Sequence, residues 1–106
     1  MAHRVFFLNK LREGVHPSDY ERWVREVDYP FARSIPSIES YVVSRAASLL
    51  GEDGKPPYDF IEVVEVTDLA AYEADLSTDK PEVQEFDKEW LSYVGEAVAV
   101  VGEVIE

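Results

Sequence analysis

The stretch Trp23–Tyr41, WVREVDYPFARSIPSIESY, decides the fold. It reads as the second half of an amphipathic helix, an exit through Pro30 and Pro36, and the start of a strand. Upstream, His16-Pro17-Ser18-Asp19 opens that helix, because proline suits a first turn whose N–H groups have no partner anyway. Ser18 and Glu21 have capping-box spacing, whereas a helix that begins at Pro17 makes His16 the cap. Tyr20, Trp23, Val24, Val27 and Phe31 recur at helical spacing and form one apolar stripe. Asp28 follows Val24 by one turn and falls on the edge of that stripe. Pro30 has no N–H for the carbonyl of Glu26 and disfavours helical angles at Tyr29. A kink with an exposed polar backbone group is therefore expected over Glu26–Tyr29, and Ile35-Pro36-Ser37 ends the element.

On either side of this stretch the chain alternates strand and helix signals. Arg4–Arg12 (RVFFLNKLR) is rich in β-formers and stops at Glu13-Gly14. Its two parities, Val5-Phe7-Asn9-Leu11 and Arg4-Phe6-Leu8-Lys10, are both apolar enough to be covered. Ile38–Ser48 reads as a second strand with Glu39, Tyr41, Val43 and Arg45 on one face. Leu49–Pro57 (LLGEDGKPP) is a loop. Tyr58–Val66 (YDFIEVVEV) is the strongest strand signal, and its even positions place Glu62 among Tyr58, Phe60, Val64 and Val66. Thr67-Asp68 caps a helical region over Leu69–Leu76, and Ser77–Pro81 interrupts and recaps it. Val83, Phe86, Trp90, Tyr93 and Val94 mark a longer helix, Gly95 is its expected stop, and Ala97–Ile105 is the last strand.

The order β-α-β-β-α-β predicts an α+β, ferredoxin-like fold: a four-stranded antiparallel sheet with both helices on one face. A chain of 106 residues suits one domain over residues 1–106. Its second sheet face is apolar with no element left to cover it, which predicts a homodimer packed sheet to sheet. The net charge of −12, from 22 acids against 10 Lys and Arg, repels phosphate backbones and anionic lipid. No nucleic-acid or membrane partner is expected. The absence of cysteine excludes disulfides and thiolate metal sites and points to a reducing cytoplasm. The N-terminus carries no signal-peptide hydrophobic region, and no apolar run approaches a membrane span.

Candidate site residues gather around the opening stretch. Asp28 leads: burial raises a carboxyl's pKa, which suits a general acid or base, and the kink aims it at a helix–sheet cavity. The plainer alternatives are a solvated helix-edge acid or a salt bridge with Arg25 or Arg33. Tyr41 is a second catalytic candidate, able to donate a hydrogen bond to a substrate oxygen, and Tyr29 is set beside it as a binding residue. Either could instead be an amphipathic packing residue. His16 is a further catalytic candidate, although a histidine before a helix is more often a surface or capping residue. Glu62 and Asn9 are polar residues on apolar faces and need partners, a water or a pocket. Arg33 could bind a ligand carboxylate or carbonyl, or pair within the chain. Trp23 and Trp90 could line a pocket, but fit the core between helices and sheet more readily. The acids of the second helix read as a solvated face. No His/Asp/Glu cluster has metal-ligand spacing, and no Gly-rich phosphate loop or Ser-His-Asp pattern is present, so no cofactor is expected.

The run Tyr20–Glu26 through Asp28-Tyr29-Pro30, Arg33, Ile35-Pro36-Ser37-Ile38 and Tyr41 closely resembles the REDY-like (HapK-type) proteins. Pro56–Glu62 and the ending Val94-Gly95-Glu96 through Ala99–Glu103 do so as well. The resemblance covers nearly the whole chain. It implies a branch of the dimeric α+β barrels whose members serve bacterial pathways for prodiginine pigments and related natural products. More distantly, EthD-type proteins carry a His-x-Pro, Arg, Leu-Pro-Gly, Tyr pattern into which Asp28, Pro30, Arg33, Ile35-Pro36-Ser37 and Tyr41 fall. Asp28 stands where that family has histidine. The expectation is a cofactor-free enzyme that cyclises, isomerises, dehydrates or condenses an aromatic or heteroaromatic intermediate by proton transfer. A non-catalytic carrier of such an intermediate and a cofactor-free oxygenase are the alternatives.

Overall fold

The structure, a computed structural model, describes residues 2–106. Strand β1 spans His3–Leu11, and helix α1, Pro17–Trp23, leads through a π-helical turn, Val24–Asp28, into α2, Tyr29–Arg33. Strand β2, Ile38–Arg45, and β3, Phe60–Val66, are followed by α3, Leu69–Asp75, α4, Pro81–Tyr93, and β4, Val94–Glu103. The four strands form one sheet in the order β2-β3-β1-β4, and every pairing is antiparallel. This is the expected ferredoxin-like arrangement. Among the described residues no helix is long and apolar enough to cross a membrane.

Local chemistry accounts for most boundaries. Pro17 and Pro81 stand in the first turns of α1 and α4, and Asp68 caps α3 by accepting the N–H of Ala70 at 3.2 Å. His16 is the N-cap of α1 but makes no side-chain bond there. Strand β2 ends at Arg45, three residues earlier than expected, and β3 begins at Phe60, so the connecting loop is longer than LLGEDGKPP. Gly95 is not a stop between helix and strand: α4 runs directly into β4 at Val94.

Two expectations about the central stretch fail. Tyr29 stays helical, at φ −59° and ψ −47°, although it precedes Pro30, and its N–H reaches the carbonyl of Val24. The chain accommodates the proline by widening the preceding turn: an i→i+5 bond adds a residue and gives the ring room that an α turn denies it. Glu39 does not share a face with Tyr41. The β2–β3 register shifts between Ile38 and Ser40, so a bulge changes the parity. Ile38 joins Tyr41 against the buried cluster of Val5, Val64, Val66 and Tyr72, while Glu39 is exposed.

The core lies between the sheet and the helices. A second cluster is built from Tyr20, Trp23, Val24, Phe60 and Val94. The opposite sheet face is open. Cross-strand register aligns Phe6 with Val63 and Val100, and Leu8 with Ile61 and Val98, next to Val42. Val42, Val98 and Val100 are 52%, 41% and 47% exposed. A Cβ at Gly102 would come within 3.0 Å of the Phe6 ring, so glycine there lets the ring lie flat on this face.

Candidate active site

Asp28 is the last residue of the π turn and is buried. More residues per turn rotate it away from the position a continuous α-helix would give it, and its side chain enters the gap between α2 and the sheet. Asp28 is 4% exposed and takes part in no salt bridge among the described residues. The two arginines weighed as its partners, Arg25 and Arg33, are engaged elsewhere. Arg25 pairs with Glu21 at 3.8 Å, and Arg33 is exposed and lies over the Tyr29 ring at 5.6 Å.

Asp28 belongs to a buried chain of hydrogen bonds. The Tyr41 hydroxyl is 2.6 Å from Asp28 Oδ2 and 2.9 Å from Glu62 Oε1. Glu62 Oε2 accepts the Tyr20 hydroxyl at 2.5 Å and the Asn9 amide at 2.6 Å. The Trp90 indole N–H donates to the Tyr20 oxygen at 3.2 Å. Elements α1, β1, β2, β3, α4 and the π turn thus each contribute one member. Glu62, 3% exposed, sits where even parity placed it, and the partners its burial demands are Tyr20, Tyr41 and Asn9.

Burial controls the electrostatics. Desolvation pushes the Asp28 carboxyl up to about 7; the Tyr41 hydrogen bond opposes this and the nearby Glu62 charge adds to it. Desolvation also raises Glu62, against hydrogen bonds from Tyr20, Tyr41 and Asn9 that favour its charged form. Tyr20 and Tyr41 are raised, first by burial and then by the Glu62 charge, so both phenols keep their protons. Tyr72 is pushed up to about 12 by burial and by the charges of Glu62, Asp28 and Asp87. A carboxyl that titrates near neutrality and rests on a tyrosine can take up or release a proton at working pH.

This chain borders a cavity of about 130 Å³. Asp28, Tyr41 and Glu62 form its polar wall, and Phe31, Phe86 and Trp90 are among its aromatic walls. Phe31 and Phe86 are stacked with centroids 4.2 Å apart. Asp87 also lines the cavity, and desolvation raises its carboxyl.

The other site candidates lie elsewhere. His16 is exposed and does not border the cavity; the capping end of α1 simply faces solvent. Trp23 is a core residue that bonds Glu89 at 3.3 Å and packs on Tyr20. The Tyr29 hydroxyl accepts the N–H of Val43 at 3.0 Å, which ties the helix exit to β2. Arg33 and Tyr29 share a shallow groove beside the cavity. Asn9 reaches the site only through Glu62. Tyr20 is a core residue, as its spacing indicates, and joins the site through its hydroxyl, whereas Phe86, Trp90 and Asp87 border the cavity although they read as core or solvated face. Their helical spacing carried no signal that separates a core wall from a cavity wall.

A family model for the REDY-like protein HapK matches residues 3–105. The crystal structure of HapK from Hahella chejuensis is similar at a TM-score of 0.74 and 28% identity, covering 97% of this chain and 92% of that one. An ethyl tert-butyl ether D (EthD) family protein from Bacillus halodurans has a TM-score of 0.71 at 16% identity, over 99% of this chain and 100% of that one. A hydroxynitrile lyase from Passiflora edulis has a TM-score of 0.77 at 15% identity, over 99% and 94%. At such identities the last two show a common fold. No curated protein sequence matches the chain. With its full-length match, its β-α-β-β-α-β sheet and its helix-exit motif, the chain belongs to the REDY-like HapK family.

Proposed function

We propose that this protein is an acid–base enzyme that acts on an aromatic or heteroaromatic intermediate of a bacterial natural-product pathway, of the prodiginine or bisindole kind. One observation carries the reading: Asp28 is a buried carboxyl that titrates near neutrality, borders an aromatic-walled cavity and is held by Tyr41. Asp28 abstracts or delivers the proton, and Tyr41 orients it and donates to developing negative charge on the substrate. Cyclisation, isomerisation, dehydration and condensation all reduce to such transfers. The fold itself is permissive, since a lyase shares it, so the argument rests on the site.

In this reading the protein works in the cytoplasm as a homodimer. The open sheet face, with Phe6, Leu8, Val42, Ile61, Val98 and Val100, meets its copy in a second molecule, because an apolar sheet face of this kind is seldom left in water. The test is incubation with pathway intermediates, with product followed by mass. Wild type is expected to change the mass or isomer of one intermediate and Asp28→Asn to leave it unchanged while remaining folded. Binding without chemical change, unaffected by Asp28→Asn, would make the protein a carrier; oxygen uptake would make it an oxygenase.

A further inference from the structure

Asp28 and Glu62 are both buried, yet none of the described residues supplies either with a cation. The groups that face them are Asn9 from β1, Tyr20 from α1, Tyr41 from β2, Tyr72 from α3, and Asp87 and Trp90 from α4. All are neutral or acidic. Among the described residues that line the cavity there is no lysine, arginine or histidine. The ion pairs of this chain lie instead on its surface, as in Arg4–Glu65, Lys10–Glu96 and Arg45–Glu21. Buried carboxylates are ordinarily paired or neutralised. Here the resident neutralising group is a proton, and its place can be deduced. A phenol has one hydrogen, but the Tyr41 oxygen makes short contacts to a carboxyl on each side. One contact is the phenol donating; the other is a carboxyl O–H donating to the phenol. Asp28 and Glu62 therefore hold one proton between them through Tyr41.

A ligand can replace that proton. Phe31, Phe86 and Trp90 line the same cavity, and aromatic rings attract cations. We propose that this cavity selects a ring system bearing a positively charged nitrogen, either a protonated nitrogen heteroaromatic or an iminium. The Asp28–Tyr41–Glu62 chain holds the nitrogen, Phe31, Phe86 and Trp90 enclose the rings, and the shared proton leaves to solvent on binding. Ligands whose recognised group is a carboxylate or phosphate are rejected, because the wall that would meet them is acidic and holds no cation. The proposal rests on the reading of this cavity as the reaction site and adds the charge class of the substrate.

Three probes of similar shape decide it by calorimetry on wild-type protein above pH 7 in moderate salt: N-methylquinolinium, quinoline and 2-naphthoate. N-methylquinolinium is expected to bind roughly tenfold more tightly than quinoline, the combined effect of charge pairing and cation–π contact. Naphthoate is expected to bind most weakly. Near neutrality, cation binding should release protons, read from buffers of different ionisation enthalpy, and cation affinity should rise with pH. Asp28→Asn and Glu62→Gln should each shrink the preference for the cation over quinoline. The wild-type ranking stands alone if a variant misfolds. Equal affinity for cation and neutral probe, or tighter binding of naphthoate, overturns the proposal. If Asp28→Asn still abolishes turnover in that case, the catalytic reading survives and only the charge class is wrong. If no probe of any charge binds, both fall.

Discussion

Replacing Asp28 by asparagine should make the protein more stable, and increasingly so as pH rises. The folded state holds the Asp28 proton more tightly than the unfolded chain, with a pKa of about 7 against an ordinary 3.8. Its favourable contribution is complete below the unfolded value and is lost as pH rises through the folded one. The gap corresponds to roughly 4 kcal/mol once both states are ionised. At 4% exposure, solvent does little to screen the group. Between roughly pH 5.5 and 8.5 the wild type should lose about 2 kcal/mol relative to Asp28→Asn. Asparagine fills the same volume and can donate to the Tyr41 oxygen, so no cavity or orphaned acceptor obscures the comparison. Urea unfolding of both proteins across this range, at one fixed protomer concentration, measures the difference. The growth of net negative charge with pH affects both and cancels. Parallel pH profiles would show that Asp28 is solvated. A wild type that gains on the variant as pH rises would mean that a cation pairs with it, and the reasoning behind the site would be refuted.

Other perturbations test separate parts of the arrangement. Tyr41→Phe removes the hydrogen bond that holds Asp28 down, so the carboxyl should titrate above about 7, followed by the carbon-13 shift of labelled aspartate. Trp90→Ala removes a half-buried indole and the donor to Tyr20; it should cost roughly 3 kcal/mol in urea unfolding. Val100→Glu places a charge on the open face beside Phe6. Sedimentation should change from dimer to monomer, and a wild type that already sediments as a monomer would remove the basis for that interface.

Much of this molecule could be read from spacing. Proline and glycine punctuated the chain well enough to order the elements, and the alternation from Phe60 to Val66 set Glu62 on one apolar face, which the fold turns inward. Asp28 and Tyr41 are identifiable because two prolines and an ionisable pair near a core face are rarely spent on packing alone, and because both residues fall in the helix-exit frame of the EthD-type proteins. The rest of the site was hidden for a physical reason. Phe86 and Trp90 satisfy a helical apolar stripe whether they meet another side chain or a void. Asp87 differs from the other acids of α4 only in what the fold sets against it. His16 and Arg33 were singled out for the chemistry their side chains can do, and exposure removes both from the cavity.

Where the regular periods broke is more informative than where they held. The helix departs from 3.6 residues per turn at Val24–Asp28, and β2 departs from period two between Ile38 and Ser40. These irregularities lie on either side of the same corner. Asp28 closes the first as a buried residue, and the second sets both Ile38 and Tyr41 inward. Their products meet at 2.6 Å. A continuous α-helix would change the phase of Asp28, and an unbroken strand would leave Glu39, rather than Ile38, on the face of Tyr41. Each departure gives up regular hydrogen bonding or strand pairing. Together they keep two carboxyls and a phenol in contact within an apolar interior that offers the acids no cation. A sequence under selection for stability alone would replace such a cluster with hydrocarbon, since buried acids without countercharge favour unfolding at neutral pH. Its presence at the corner formed by two irregular elements is the strongest physical reason to place the chemistry there.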